Sequence, residues 1–370
     1  MKLPKRKFST LVALGMLVLL TACGDSSKPA ASVDPTTSSS HAGMVEGTVW
    51  VANESGNSIS VIDTASNQIL TTLTGVEGPH NLQVSPDGKS VWAVSGHASL
   101  AAMIDPVTYK LHGTVPTGKE PAHIVLAPDG KTAYTTNGAD NTVTAIDVAS
   151  MKAIAQIPAG KYPHGLRPSP DGKWLYVANA KDTTLSVIET ATNTKVADIQ
   201  VGQSPVQVGF SPDGKYVYFS LNGENALGKV EVATRKLVGK VKVGNGPVQV
   251  FVTPDNKSVL VANQGTKDNP GTTASIVDTA TFTLKTTVET GKGAHGVTVD
   301  PSGKHAYITN IYGNDVAVLD LEQERVVARV ASGQGPNGIS FSAVKPGPVP
   351  ASQIELPLPH HDENMPDMNH

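Results

Sequence analysis

Short apolar runs recur along the chain, separated by polar stretches rich in turn-forming residues. Runs such as Val91-Trp92-Ala93-Val94 and Tyr216-Val217-Tyr218-Phe219 contain β-branched and aromatic residues, a composition typical of strands. A further type of run ends in an acid, at Asp63, Asp105, Asp147, Glu189, Glu231, Asp278 and Asp320. A carboxylate in this place is expected to cap the next turn by accepting backbone N–H groups. The pattern predicts many short strands and a structural role for these acids.

The strands belong to a repeated unit. Its first phrase begins at Pro79, Pro121, Pro163, Pro205 and Pro247, at intervals of 42 residues, and then at Ala294 and Pro336. In all units but the last, a Pro-Asp-Gly type of turn follows, in which proline presets φ and glycine adopts a positive φ. Each unit therefore contains an inner strand, a second strand after the turn, a third ending in the acid, and a fourth such as Gln68 to Leu73. Seven such units predict an all-β fold, a seven-bladed β-propeller with four antiparallel strands per blade.

The two ends of the repeat region are complementary. The first unit begins at Thr48-Val49-Trp50-Val51 without an inner strand, and the last stops after the inner strand Gly338-Ile339-Ser340-Phe341. We expect N- and C-terminal strands to share one blade, which closes the ring and leaves no open sheet edge.

The repeats resemble the YVTN-type repeats of YncE-like β-propellers. The resemblance is carried best by KYPHGLRPSPDGKWLYVAN, residues 161–179, and GAHGVTVDPSGKHAYITN, residues 293–310. It covers roughly residues 48–342 and implies the fold. It implies little about function, because one fold hosts many activities.

The N-terminus is typical of an exported protein. Lys2, Lys5, Arg6 and Lys7 precede an apolar run from Leu11 to Leu20, which is too short to cross a membrane. The run ends in Leu-Thr-Ala before Cys23, the single cysteine of the chain, and so resembles a bacterial lipobox. This predicts a lipoprotein signal peptide over 1–22 and lipid attachment at Cys23, with Gly24 favouring the outer over the inner membrane.

Two stretches outside the repeats lack a hydrophobic period. Residues 23–47 are predicted to be the lipidated cysteine and a flexible linker, followed by the propeller at 48–342. The prolines of residues 343–370 predict a disordered tail.

Composition excludes some classes of function. Without the four cations of the signal, 25 basic and 32 acidic side chains remain, and aromatic residues are only 5% of the chain. A nucleic-acid partner is not expected from this charge. The single cysteine excludes disulfides within the chain and a Cys-x-x-Cys-His haem site. The expected state is a monomer.

Histidines mark one face of the predicted propeller. His80, His164 and His295 follow the Pro or Ala of the repeat phrase, and Asn337 has the same place in the last unit. Because these loops surround the channel mouth, the three imidazoles are candidates to hold copper or zinc. The alternative is that they are structural or generic binding histidines. His123 lies one residue further on; it is a ligand candidate, although strict strand alternation would turn it away.

Two further segments are candidates for binding. An insertion of five residues within Gln264 to Ala274, in the sixth blade, is either a ligand lip or neutral length variation. The tail contains His360, His361, Met365, Met368 and His370, whose imidazole and thioether groups suit copper; the alternative is a solvated acidic tail.

The sequence favours a binding protein over an enzyme. Propellers include lactone hydrolases and haem-bearing redox domains, but no Gly-x-Ser-x-Gly motif is present and no catalytic set interrupts the repeat. We expect an envelope-anchored scaffold that binds a partner protein or small ligand on its channel face. A copper-binding envelope protein is the alternative, and a lactonase-like hydrolase is a second one.

Overall fold

The structure, a computed structural model, describes residues 45–345, 347 and 351–358. Within these ranges nearly all regular structure is β-strand, arranged in seven sheets. The one helix of the described residues is a single 3₁₀ turn at Asn222–Glu224, and no helix in these ranges is long and apolar enough to cross a membrane. The predicted signal peptide, Cys23, most of the predicted linker and the histidines and methionines of the tail lie outside the described residues, so their assignments stay predictions.

Each sheet is one blade, and the first blade combines both ends of the described chain. Blade 1 contains β1 (Thr48–Asn53), β2 (Ser58–Asp63), β3 (Gln68–Thr74), β28 (Pro336–Ser342) and β29 (Gln353–Glu355). Blade 2 contains β4 (Pro79–Val84), β5 (Val91–Ser95), β6 (Leu100–Ile104) and β7 (Leu111–Pro116). Blade 3 contains β8 (Pro121–Leu126), β9 (Thr132–Asn137), β10 (Thr142–Asp147) and β11 (Lys152–Pro158). Blade 4 contains β12 (Pro163–Pro168), β13 (Trp174–Asn179), β14 (Thr184–Glu189) and β15 (Thr194–Gln200). Blade 5 contains β16 (Pro205–Phe210), β17 (Tyr216–Leu221), β18 (Ala226–Glu231) and β19 (Lys236–Lys242). Blade 6 contains β20 (Pro247–Val252), β21 (Ser258–Gly265), β22 (Pro270–Asp278) and β23 (Thr283–Glu289). Blade 7 contains β24 (Ala294–Val299), β25 (His305–Asn310), β26 (Asp315–Asp320) and β27 (Arg325–Ala331).

The ring is closed by the two ends of the repeat region. Strand β28 pairs antiparallel with β1, with Val49 opposite Phe341 and Val51 opposite Ile339. The predicted shared blade is confirmed, and β1 has backbone partners on both sides. This pairing removes the open edge that an incomplete blade would expose.

The hydrophobic core is divided among the seven interfaces between adjacent blades. Seven clusters of buried apolar side chains occur in the described chain, one at each interface. At the interface that closes the ring, Val49 and Val51 of blade 1 pack with Tyr307 and Val316 of blade 7. Each cluster combines side chains from two adjacent blades, so burial of apolar surface holds the blades side by side.

The acids at the ends of the third strands cap turns as expected. Asp63 accepts the backbone N–H of Ser66 at 3.1 Å, and Asp105 accepts those of Val107 and Thr108 at 2.8 Å. Asp147, Asp278 and Asp320 accept backbone N–H groups in the same way, so the predicted capping role is confirmed for the five aspartates. Glu189 and Glu231 instead accept the side-chain hydroxyls of Thr192 and Thr234.

The prediction that residues 343–370 lack regular structure is wrong for part of that segment. Strand β29 pairs parallel with β3, with Ile354 opposite Leu73, and adds a fifth strand to blade 1. The backbone N–H of Leu356 donates to the carbonyl of Thr74 at 2.9 Å, and the Leu356 side chain is buried. The strand forms because apolar side chains alternate here and the nearest prolines, Pro350 and Pro357, flank the paired residues instead of interrupting them.

Candidate metal centre at the channel mouth

The inner strands bring the predicted histidines to one end of the channel. His80, His164, His295 and Asn337 are the second residues of β4, β12, β24 and β28. The first residue of each inner strand pairs with the end of the second strand of the same blade, as Pro163 does with Asn179. Buried asparagines there fix the entering loops: Asn179 Oδ1 accepts the backbone N–H of Gly160 at 3.1 Å.

Three imidazoles form a compact cluster, and it includes His123. The ring centroids of His123 and His164 are 4.8 Å apart, those of His80 and His164 5.1 Å, and those of His80 and His123 5.4 Å, all edge to face. One ligand nitrogen from each of the three rings lies within 4.8 Å of the other two. We call His80, His123 and His164 the tri-histidine cluster.

The expectation that strand alternation turns His123 away is wrong. The ladder between β8 and β9 is irregular between Pro121 and Ile124, so the residues in between do not alternate regularly. The backbone N–H of His123 donates to Thr136 Oγ1 at 3.2 Å, and that hydroxyl donates to the carbonyl of His164 at 2.7 Å. The Thr136 hydroxyl thus replaces a ladder partner and links the His123 and His164 backbones in neighbouring blades.

A side chain from the fifth blade supports His123. Gln207 Nε2 lies 3.3 Å from His123 Nδ1 and donates to Gln249 Oε1 at 2.8 Å, while Gln207 Oε1 accepts the backbone N–H of Val208 at 2.8 Å. Gly165 makes room for this arrangement, because a Cβ there would lie 2.6 Å from Gln207 Cα. The amide of Gln207 therefore sets the orientation of the His123 ring.

Within the part of the chain that the structure describes, several imidazole nitrogens at the mouth have no protein partner. His164 Nδ1 faces the carbonyl of Val206 at 3.2 Å, which places the ring proton there and leaves Nε2 with a free lone pair. His80 Nδ1, His123 Nε2 and His295 Nδ1 are buried without a hydrogen-bond partner. Unpaired buried polar atoms are rare in folded proteins and mark places where a water, ion or ligand binds.

Burial favours the neutral form of three of these rings, His123, His164 and His295. It lowers the pKa of His164 to about 3, with further lowering from His80 and His295, and lowers the pKa of His295 to about 4. Burial also holds the pKa of His123 well below its usual value, followed by the effect of the neighbouring His164. A neutral imidazole is the form that binds metal ions.

The tri-histidine cluster fits a metal ion after a small contraction. Two imidazole nitrogens on a tetrahedral zinc lie about 3.4 Å apart, given bonds of about 2.1 Å. The separations of up to 4.8 Å have to shorten by at most about 1.4 Å, a movement that rotation of the imidazole rings provides. Binding through Nε2 of His123 would move its proton to Nδ1, where a turned Gln207 amide could accept it.

His295 and Asn337 occupy the neighbouring part of the mouth. The His295 ring is 6.5 Å from that of His80, and His295 is not part of the cluster within 4.8 Å. Asn337 Nδ2 donates to Glu54 Oε2 at 2.7 Å, and Glu54 partly offsets the lowering of the His295 pKa. The structure therefore groups His123 with His80 and His164 and places Asn337 beside an acid, while metal binding by His295 stays a prediction.

The insertion in the sixth blade lengthens a hairpin on the same face. Strands β21 and β22 continue to the pair Gly265 and Pro270, and the N–H of Gln264 donates to the carbonyl of Gly246 at 2.9 Å. Gln264 Nε2 also donates to Tyr312 Oη at 3.1 Å. These contacts tie the insertion to the loops around the mouth.

Sequence reasoning missed two groups of the channel. Gln207 and Gln249 have no special spacing, and their role depends on side chains that cross from one blade to another. Arg167 had a detectable signal, because the corresponding residues of the other repeats are uncharged: Gln83, Val125, Gly209, Phe251, Thr298 and Ser340.

The closed ring of seven blades, each with four antiparallel strands and one with β29 added, defines a seven-bladed β-propeller around a channel with histidines at its mouth. The profile of the YNCE-like beta-propeller family matches residues 131–238. Residues 131–238 are therefore similar to a YncE-like propeller, in agreement with the resemblance found in the sequence.

Solved structures share the fold. The chain is similar to a chain of hydrazine synthase from Kuenenia stuttgartiensis, with 25% identity and a TM-score of 0.65 over 73% of this chain and 91% of that one. It is similar to the dihydro-heme d1 dehydrogenase NirN, with 13% identity and a TM-score of 0.60 over 80% of this chain and 75% of that one. It is also similar to a candidate 6-phosphogluconolactonase from Bacteroides uniformis, with 17% identity and a TM-score of 0.68 over 80% and 99%. A comparison with curated proteins finds no significant match.

Proposed function

We propose that this propeller is a binding protein that holds a transition-metal ion, copper in the first place, at the tri-histidine cluster. The proposal depends on one observation: ligand nitrogens of His80, His123 and His164, from three blades, lie within 4.8 Å of one another. Imidazole ligands suit copper and zinc, and copper(II) binds such sites most tightly among the first-row divalent ions. Three ligands leave a position open for a further ligand.

The observations favour binding over hydrolysis. General acid-base hydrolysis of a lactone calls for a carboxylate or an imidazole that titrates near neutral pH. The seven inner strands contain no Asp or Glu, the mouth carboxylate of Glu54 is hydrogen-bonded to Asn337 outside the tri-histidine cluster, and burial lowers the pKa of three of the four imidazoles, His123, His164 and His295. The lactonase-like structure is only 17% identical, so that likeness concerns the fold alone.

The metal proposal is tested on the full mature chain by measuring bound copper and zinc after dialysis. Replacing His80, His123 and His164 together by Asn should remove about one ion per chain, because three ligands are lost. Two controls separate the alternatives: His295→Asn should keep the ion, and a variant with alanine at His360, His361, Met365, Met368 and His370 isolates any metal held by the tail.

Circular dichroism and thermal melting check that each variant is folded, and His123→Asn alone provides a milder change. Equal metal content in a folded triple variant and the wild type would rule out the cluster as the metal site. Loss of the ion only with the tail variant would assign metal binding to the tail instead.

The export proposal is supported by the sequence. The basic N-terminal residues, the apolar run from Leu11 to Leu20 and the small residues before Cys23 suit a lipid-anchored protein of the bacterial envelope, more suited to the outer than to the inner membrane. On the tether that follows, the channel face would be accessible to a protein or small-molecule partner. Intact-mass measurement of protein extracted from membranes tests this: an unmodified Cys23 would contradict it.

A further inference from the structure

The channel wall of the propeller contains one permanent charge. The seven inner strands, β4, β8, β12, β16, β20, β24 and β28, include four histidines and a single Arg, Arg167, with no Lys, Asp or Glu. Arg167 lies on β12, three residues beyond His164 of the tri-histidine cluster. Burial favours the neutral form of His123, His164 and His295, so these three imidazoles do not share the charge of Arg167.

Arg167 has no acidic partner among the described residues. None of the ion pairs found there includes it, whereas Arg329 on an outer strand pairs with Asp315 at 3.5 Å. The hydrogen bond found for its side chain is a long one, from Nη1 to the carbonyl of Leu166 at 3.4 Å. Most of the N–H donors of this guanidinium are left for another group.

The surroundings of Arg167 make an unpaired cation costly. Its side chain is half-buried, and burial lowers its pKa to about 10, so that it remains charged at neutral pH. It lies near enough to His123 for its charge to contribute to the lowered pKa of that ring. A desolvated charge without a counter-charge is unfavourable, and proteins compensate it with an ion pair or a bound ion.

We propose that the channel binds a small oxyanion, a carboxylate or phosphate group, through the guanidinium of Arg167 beside the tri-histidine cluster. The planar fork of Arg matches both groups with two parallel N–H···O bonds. This deepens the proposed function, because a metal ion on three neutral imidazoles adds positive charge and leaves a ligand position that an anion oxygen can fill. The Arg167 contact itself does not require the metal.

The test is calorimetric titration of the full mature chain with acetate and, separately, with inorganic phosphate. Metal-free protein is used first, then protein loaded with zinc. Arg167→Gln should weaken binding of the preferred anion about tenfold or more, since a charge-assisted bidentate contact is lost. Arg167→Lys keeps the charge but lacks the planar guanidinium. Its affinity for the anion should lie between those of the wild type and Arg167→Gln. Arg325→Gln removes an exposed charge at the start of β27 and should bind like the wild type.

The outcomes separate this inference from the metal proposal. Binding of either anion that depends on Arg167, in metal-free protein, supports the inference even if no metal is bound, and the comparison of acetate with phosphate identifies the class of group. Zinc binding without any anion binding would keep the proposed function and refute the inference. Equal anion affinity of Arg167→Gln and the wild type would also refute it.

Discussion

At the scale of residues, burial favours the neutral imidazole at three positions of the channel mouth, His123, His164 and His295. His123 and His295 are almost inaccessible, and His123 has a nitrogen without a partner. Such groups lower stability in a folded protein unless something binds them. The buried imidazole nitrogens of the cluster lower the stability of the fold and are at the same time available as metal ligands. Functional sites often show this combination.

Folding stability should fall as the pH decreases from about 6.5, because the unfolded chain then binds protons that the buried imidazoles do not. The pKa in the folded protein is about 4 for His295 and about 3 for His164, so the loss continues down to about pH 4 for the first imidazole and about pH 3 for the second. Each such imidazole contributes a slope approaching about 1.4 kcal/mol per pH unit.

Urea unfolding of metal-free protein at pH 7.0, 6.0 and 5.0 measures this dependence of stability on pH. His164→Asn should reduce the slope, because it removes one buried imidazole. Equal slopes in wild type and His164→Asn would contradict the buried, neutral state.

The individual site residues were only partly predictable from sequence. The repeat phrase identifies His80 and His164, because residues in equivalent repeat positions meet at one face. His123 could not be placed correctly, since its direction depends on an irregular ladder and on the Thr136 hydroxyl. Arg167 was visible as the single charge at its repeat position, but its lack of a counter-charge appears only when all seven inner strands are assembled.

At the scale of elements, the start of each inner strand determines what faces the channel. The ladder shift after the first residue occurs in all seven inner strands, including β12 and β16. Two glycines on these strands have different surroundings. A Cβ on Gly165 would lie 2.6 Å from Gln207 Cα, whereas a Cβ on Gly209 would make ordinary contacts of 3.4 Å or more with Val250.

Gly165→Ala should destabilise the protein by about 1–3 kcal/mol, because the methyl group meets backbone that cannot move aside cheaply. It should also weaken metal binding, since the displaced Gln207 supports His123. The matched change Gly209→Ala should alter stability by less than about 0.5 kcal/mol. Chemical unfolding and metal titration of both variants measure the two effects. Two variants of equal stability would show that the contact between Gly165 and Gln207 is loose.

Strand β29 shows where element prediction failed. The prolines of the tail suggested an unstructured segment, yet Ile354, Leu356 and Leu358 alternate with other residues in the manner of a half-buried strand. Leu356 and Leu358 are buried in the cluster between blades 1 and 2. The alternation of apolar residues is present in the sequence, but it spans only five residues. So short a pattern among prolines does not predict a strand unless the groove between blades 1 and 2, where the two leucines are buried, is also known.

At the scale of the whole molecule, closure of the ring is the feature that the sequence predicted best. Seven similar units whose ends complete one blade predict a closed ring. In that ring every inner strand lies between the inner strands of the two adjacent blades. The seven interfaces bury separate clusters, so each interface stabilises the ring locally, and the blade made from both chain ends connects the last interface to the first.

Two truncations should separate closure from the added strand. A chain ending at Ser342 loses β29 together with Leu356 and Leu358, and should lose about 2–4 kcal/mol of stability while unfolding cooperatively.

A chain ending at Gly335 also loses β28, which removes Ile339 from the interface with blade 7 and exposes the edge of β1. This longer truncation should abolish the cooperative transition and promote aggregation, because an unpaired strand edge and apolar surface become accessible. Tryptophan fluorescence during urea unfolding and size-exclusion chromatography measure both. If the chain ending at Gly335 unfolded with the wild-type midpoint and eluted as a monomer, the pairing of β1 with β28 would not hold the ring together.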